Sequence, residues 1–329
     1  MRRRPEAGAI AGAAVLAATV AVARPLGDLA SFVGAPALAL VLGMVVRLRW
    51  RPAASARPVL RFASKTVLQA AIVLLGATFG LGDVLRIGRD SLPSMLGTLA
   101  LALLAAYVVG RALRVDGRLQ TLVGVGTAIC GASAIGAVSG IVAATESEIA
   151  YAISTIFVFN VVAVVAYPPL GHLLGLSQHA FGIWSGTAVN DTSSVVAAAS
   201  AYGHTAAGVA VVTKLARTTM IVPIAVGLAA FHGRRAGSAG AERKPLWKLV
   251  PAFLVWFLLA AAIHSTGVVH ARASHDLAWT ATLLITIALA AIGLSTNVTE
   301  LKRAGVRPLL LGTVLWAVVG ISGLLLQSL

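Results

Sequence analysis

Charged residues are scarce in this sequence, and cysteine is almost missing. Of the 329 residues, 11% are charged and 58% are hydrophobic, whereas soluble domains carry about 25% charged residues. The single cysteine, Cys130, excludes an intrachain disulfide, and its small neighbours favour a packing role over a reactive thiol. With a mean hydropathy of +0.91, the chain is expected to be an all-α polytopic membrane protein that uses the lipid bilayer as solvent.

Positively charged residues are not scarce, and their distribution along the chain indicates their role. The net charge is +15, but the basic residues form short clusters between apolar runs rather than one patch. These clusters are typical of cytoplasmic loops, so no nucleic-acid partner is predicted. No phosphate-binding P-loop occurs, so we expect neither ATP-driven transport nor a cofactor, only a coupling proton or sodium ion.

Apolar runs predict about eleven transmembrane helices in a single transporter domain, 1–329. A helix needs about 20 residues to cross the hydrocarbon core. The runs lie at 8–23, 30–46, 66–82, 92–110, 120–143, 149–168, 181–201, 206–231, 249–268, 279–298 and 308–327. The N-terminal segment 1–29 also resembles a signal peptide, whose cleavage leaves ten spans. We expect it to be retained, because a second apolar run follows at once.

The distribution of lysine and arginine predicts the orientation of these spans. Threading eleven spans from a cytoplasmic N-terminus places 20 of the 26 basic residues on the cytoplasmic side and four on the other. This is the asymmetry expected of a multi-pass protein in a bacterial inner membrane. The remaining two, Lys214 and Arg217, lie within a span.

Two segments resemble each other within the chain. Residues 126–133, GTAICGAS, align with residues 186–193, GTAVNDTS. Residues 75–88 likewise resemble residues 292–305. Such similarity is typical of duplicated transporter halves, although small residues selected for helix contact explain it equally well.

Polar residues inside the spans are the candidates for function, because a lone charge at the bilayer centre costs several kcal/mol. Lys214 and Arg217 lie three residues apart, hence on one helix face, where they could bind a small oxyanion. Five consecutive polar residues, 190–194, favour an unwound stretch or a half-helix N-terminus that lines a watered cavity. Its acid, Asp191, suits a cation, a proton or a nearby lysine. We therefore predict an ion-coupling pair, Asn190 and Asp191.

Hydroxyl and backbone donors near these charges complete the predicted site. The glycine-rich stretch 124–133 could present N–H groups to an oxyanion, although close helix packing explains it as well. The full set of predicted substrate-binding residues is Lys214, Arg217, Gly126, Thr127, Ser133, Thr187, Thr192 and Ser193.

Four motifs resemble one known family. They are GTAICGASAIGAV at 126–138, ExAYAISTIFVFNVVAVVAYPPLGHLLGLS at 148–177, FGIWSGTAVNDTSSVVAA at 181–198, and the KxxR of VVTKLARTTMIVP. Together with the stretch at 291–297 they are similar to the YeiH-like family, whose members are named as sulfate exporters. The resemblance covers about 30–329 and implies an inverted-repeat fold with broken crossing helices, related to the bile-acid/sodium and sodium/proton antiporter folds. Other members often carry His-Glu where this chain has Asn190-Asp191.

The sequence thus predicts a secondary transporter of a small anion, sulfate or a related sulfur oxyanion first. A cation/proton antiporter that uses Asp191 is the alternative. A receptor or an intramembrane enzyme is disfavoured, because no loop is long enough for a sensing domain and no catalytic constellation lies within a span. Assembly as a homodimer stays open.

Overall fold

The apolar runs fold into helices throughout the residues that the structure describes, and none of these residues forms a strand. The structure is a computed structural model that describes residues 5–29, 34–236, 252–268, 270–296 and 306–327. The helices are α1 (Pro5–Leu29), α2 (Gly34–Arg49), α3 (Arg57–Phe62), α4 (Leu68–Gly76), α5 (Leu81–Ala112), α6 (Gly117–Ala128), α7 (Ala132–Ser139), α8 (Glu146–Leu173), α9 (Gln178–Ala188), α10 (Thr192–Tyr202), α11 (His204–Thr218), α12 (Ile221–Ala236), α13 (Ala252–Ser265), α14 (Ala271–Ser295) and α15 (Val306–Leu326).

Seven helical segments of the described residues are long and apolar enough to cross a membrane. They are Gly8–Gly27, Ala54–Gly76, Leu81–Ala112, Glu146–Leu173, His204–Ala230, Arg272–Ser295 and Val306–Leu326. The predicted spans 30–46 and 249–268 correspond to α2 and α13, which are shorter. The basic clusters predicted at 2–4, 243–248 and 302–303 lie outside the described residues.

The predicted span 181–201 is a hairpin, not a crossing. Its helix stops at Ala188 and restarts at Thr192. The Phe181 ring near the start of α9 stacks on the Tyr202 ring at the end of α10, with ring centroids 3.9 Å apart. A continuous helix would separate these rings by about 30 Å. The chain therefore reverses at 189–191, and both ends of this segment lie on one side of the membrane.

The predicted span 120–143 is also a hairpin, as the directions of its neighbours require. Phe79, just before α5, packs against Gly208 near the start of α11. Gln178, just after α8, accepts a hydrogen bond from the Thr205 N–H at the same helix start, at 3.0 Å. Hence α5 begins and α8 ends on one side, here called side 1. The segment between them, α6 and α7, must leave and return on the opposite side, called side 2.

The two hairpins enter from opposite sides and meet tip to tip. Hairpin 1 comprises residues 117–139 with its tip at 129–131, and hairpin 2 comprises residues 178–202 with its tip at 189–191. A Cβ atom at Gly131 would lie 3.8 Å from the carbonyl oxygen of Asn190. The tips are therefore in contact, each about half a helix length from the side it entered.

The prediction of eleven crossings is not confirmed, and for 120–143 and 181–201 it is wrong. Two half-helices that form a hairpin contain as many apolar residues as one helix that crosses the membrane, so hydropathy does not distinguish a hairpin from a crossing. Nor does charge, because no lysine or arginine lies between Arg118 and Lys214. Of the three predicted crossings 120–143, 149–168 and 181–201, only the second, α8, remains. The direction of α8 across the membrane is therefore opposite to the predicted one, and the predicted directions of all other helices are unchanged. The predicted crossing of broken helices is replaced by a tip-to-tip meeting of two hairpins.

Cysteine labelling distinguishes the two topologies. In a Cys130→Ala background, we expect Arg118→Cys and Ser147→Cys to react with an impermeant maleimide from the same side of sealed vesicles. Leu174→Cys should react only from the other side. All three parent residues are exposed, so the thiols should be reachable. Labelling of Arg118→Cys and Ser147→Cys from opposite sides would restore the eleven-span threading.

Candidate functional site

The two tips meet at a pair of cations on α11. Lys214 and Arg217 are both fully buried, and among the described residues neither forms an ion pair. A buried charge is costly unless polar groups compensate it. The surroundings of these two side chains therefore determine what the site can do.

Lys214 bridges the hairpins. Its Nζ donates to the carbonyl oxygen of Ile129 in tip 1 and to that of Val189 in tip 2, each at 2.8 Å. The predicted ion pair with Asp191 does not form in the structure. Because one ammonium group holds both tips, neither tip can move away from α11 without losing a charge-assisted hydrogen bond.

Arg217 binds hairpin 1 alone. Its Nε donates to the carbonyl oxygen of Ala128 at 2.7 Å, and its Nη2 to that of Thr127 at 3.3 Å. These acceptors, like those of Lys214, belong to the last turns of α6 and α9 or directly follow them. The C-terminus of a helix carries about half a negative charge, so the two helix ends compensate part of the two positive charges.

Not all of the donors are used. Arg217 Nη1 is buried and has no hydrogen-bond partner, and Lys214 uses two of its three N–H groups. The hydroxyl of Thr213 and the side-chain oxygen of Asn190 are likewise buried without partners. Buried polar groups in folded proteins are usually hydrogen-bonded, so these atoms call for a compensating water or ion.

Close packing of α9 on α11 positions tip 2 over Lys214. A Cβ atom at Gly186 would lie 2.8 Å from both the carbonyl oxygen of Ala210 and the Cβ of Thr213. Only glycine permits this approach. On the other face of α9, the Trp184 indole donates to the carbonyl of Gly320 in α15 at 2.9 Å, which fixes the depth of the helix.

The tips differ in how their second half-helices begin. Gly131 precedes α7 with φ 67° and ψ −126°, a conformation that side chains disfavour, and it offers no cap. Asp191 precedes α10 as its N-cap and accepts a hydrogen bond from the Ser194 N–H at 3.1 Å. Its carboxylate also accepts from the Ser193 hydroxyl. One tip therefore carries a negative charge at a helix N-terminus, and the other does not.

All of the predicted site residues lie in the two hairpins or in α11, but they do not share one role. Gly126 packs against Ile156 and Ile135, and the Thr187 hydroxyl donates to the carbonyl oxygens of Ile183 and Trp184. Both residues serve packing and helix structure. Thr127 contributes its carbonyl oxygen. Ser133 is exposed, and Thr192 and Ser193 are half-buried beside tip 2.

Asn160 is a residue whose role the sequence did not predict. Its side-chain oxygen accepts from the backbone N–H of Asn190 at 3.0 Å and so ties tip 2 to α8. It is buried in an apolar helix, and that isolation is the sequence signal. Asn190, predicted with Asp191 as an ion-coupling pair, lies at the tip of hairpin 2, and its carbonyl oxygen faces Gly131 of hairpin 1.

Known proteins match this chain over nearly its whole length. Residues 8–312 match the family described as "Conserved hypothetical protein 698". The chain belongs to the YeiH-like family. The relatives of this YeiH-like chain are named UPF0324 membrane proteins. One from Streptococcus pyogenes serotype M3 is 41% identical over 312 residues, 92% of this chain and 91% of the relative. One from Fusobacterium nucleatum is 35% identical over 323 residues, 92% and 93% of the two chains.

These matches confirm the family that the four motifs indicated, and the names of the relatives confirm a membrane protein. They do not test the predicted fold relationship to the bile-acid/sodium and sodium/proton antiporter folds, because no solved structure matches the chain.

Proposed function

We propose that this protein is a secondary transporter of a small anion, with sulfur oxyanions as the first candidates. The observation that carries the proposal is Arg217 Nη1, a charged donor that is buried beside hairpin 1 without a partner among the described residues. An anion is the ligand that would satisfy it. The positive charge of Lys214 and Arg217 also makes the site a poor one for a cation, which disfavours the alternative of cation/proton antiport.

The two hairpins supply the arrangement that transport needs. A transporter must expose one site alternately to the two sides of a membrane, and irregular backbone within the bilayer is tolerated where it lines such a site. In this proposal each tip closes the site toward the side from which its hairpin enters. Movement of hairpin 1 would open a path to side 2, and movement of hairpin 2 a path to side 1.

An inverted repeat fits the same arrangement. Helix α5 followed by hairpin 1 and helix α8 followed by hairpin 2 have the same order and opposite directions. The similar segments 126–133 and 186–193 fall at the same place in each, around the tip. We propose that residues 81–139 and 146–202 are two inverted copies of one unit. Side 2 would then be the cytoplasm, because Arg111, Arg114 and Arg118 lie there.

Flux in proteoliposomes tests the transport proposal. Purified protein should exchange radiolabelled sulfate or sulfite across the membrane, and Arg217→Lys should reduce the flux at least about tenfold. The lysine keeps the charge but removes the planar fork and its free Nη1. Arg118→Lys, the same change at an exposed position, is the matched control and should transport normally.

Three outcomes would overturn the proposal. They are a lack of flux of every sulfur oxyanion in both directions, an equal flux for the two arginine variants, and sodium-dependent proton movement that needs no anion. The last result would establish the antiporter alternative.

A further inference from the structure

The charge of the site can be counted group by group. When both are protonated, Lys214 and Arg217 contribute two positive charges. The C-termini of α6 and α9 and the N-termini of α7 and α10 contribute about half a charge each, two negative and two positive, so these four ends nearly cancel. Asp191 contributes one negative charge and lies two residues after Val189, whose carbonyl oxygen binds Lys214 Nζ at 2.8 Å. These groups together carry a net charge of about +1.

This net positive charge lies inside the protein, where burying a charge is unfavourable. Both cations are fully buried, and an uncompensated charge in the bilayer costs several kcal/mol. One monovalent anion would neutralise the site. A divalent anion would overshoot by one negative charge, and its binding would need an additional proton or cation.

The free donors match a small ligand as well. Both N–H groups of Arg217 Nη1, the second N–H of Nη2 and one N–H of Lys214 have no protein acceptor among the described residues. Four free N–H groups on two side chains of one helix suit the oxygens of one small oxyanion. Asp191 cannot add a donor while it is ionised, because a carboxylate only accepts. Its contribution is charge.

We propose that the site selects a monovalent anion and that Asp191 sets this valence. The inference rests on the proposed anion site and adds the charge class of its substrate, a singly charged oxyanion such as hydrogensulfite or a sulfonate rather than sulfate. Asp191 thereby acts as a specificity-determining residue through its field, without touching the anion.

Asp191→Asn tests the inference because it removes the charge and keeps the helix cap. Asparagine is as good an N-cap as aspartate, so α10 should still begin at Thr192. The probes are methanesulfonate and sulfate, both tetrahedral at sulfur but singly and doubly charged. Their apparent affinities come from thermal-shift titrations at constant ionic strength set with gluconate. Asp116→Asn, the same change at the N-cap of α6, is the matched control about 18 Å along that helix from tip 1.

The wild type and Asp116→Asn should prefer methanesulfonate. Asp191→Asn raises the net charge of the empty site to about +2, and its preference should move toward sulfate by at least about tenfold. Should Asp191→Asn fail to fold, Asp191→Ser provides an uncharged N-cap of different size and carries the same expectation.

The outcomes separate this inference from the proposed function. A wild type that prefers sulfate, or an Asp191→Asn variant with unchanged preference, overturns the valence assignment and leaves the anion site in place. Failure of both anions to stabilise any variant overturns the anion site itself, and the valence assignment with it.

Discussion

Replacing Lys214 by methionine should destabilise the protein by about 3 kcal/mol or more. Methionine has a similar length but no donor, so the carbonyl oxygens of Ile129 and Val189 would lose their partner. Each buried carbonyl left unsatisfied costs about 1–3 kcal/mol. Removal of the charge recovers part of this, because the buried ammonium no longer needs to be desolvated. The loss of the bridge between the tips should dominate.

The measurement is thermal unfolding in detergent, followed by tryptophan fluorescence. Lys65→Met makes the same change at an exposed lysine and should unfold within about 0.5 kcal/mol of the wild type. Equal unfolding temperatures for the two variants would contradict the bridge. If Lys214 holds both tips, its replacement should also make Cys130 in tip 1 react faster with a thiol reagent.

Replacing Gly131 by alanine should cost about 1–3 kcal/mol through the backbone alone. The φ of 67° and ψ of −126° at this residue are accessible to glycine and strained for alanine. Steric contact is not the cause, because the nearest atom to a new Cβ would be Ile156 Cγ2 at 3.6 Å, an ordinary contact.

Gly136 in the same hairpin is the internal control. It is helical, and a Cβ there would meet no atom within 4 Å. Gly136→Ala should therefore stabilise the protein by up to about 1 kcal/mol, because alanine favours helix over glycine. The two variants should shift the unfolding temperature in opposite directions. A shift of the same sign and size in both would show that tip 1 does not need its special conformation.

The sequence was sufficient to predict which residues lie at the centre of the protein. Lys214 and Arg217 were conspicuous because charge inside an apolar run must be compensated, and the polar stretch 190–194 was conspicuous because it interrupts a helix. The resemblance of residues 126–133 to residues 186–193 indicated two segments of similar structure. These signals are local, and each is visible in a few neighbouring residues.

What the sequence could not predict was the direction of the chain. The reversal of hairpin 2 is evident from the stacking of Phe181 on Tyr202, a contact between residues whose sequence neighbourhoods give no sign of it. The reversal of hairpin 1 follows only from where α5, α8 and α11 begin and end. Charge could not help, since the whole stretch from Leu119 to Thr213 lacks lysine and arginine.

The partners of the cations were equally hidden. A lysine and an arginine on one helix face suggest a site that is open to a ligand, but most of their donors bind backbone carbonyl oxygens. Backbone acceptors have no side-chain identity, so no residue type in the sequence reveals them. Only the N–H groups that remain free on these two side chains retain the role that the sequence suggested.

The position of Cys130 has a practical consequence. It is the one thiol of the chain, it lies in tip 1, and it directly follows Ile129, whose carbonyl oxygen binds Lys214. This chain thus carries a single thiol at the junction of the two hairpins, and that thiol is buried. Opening of either side should expose it, so its rate of reaction with a small thiol reagent should report the motion without the removal of any other cysteine.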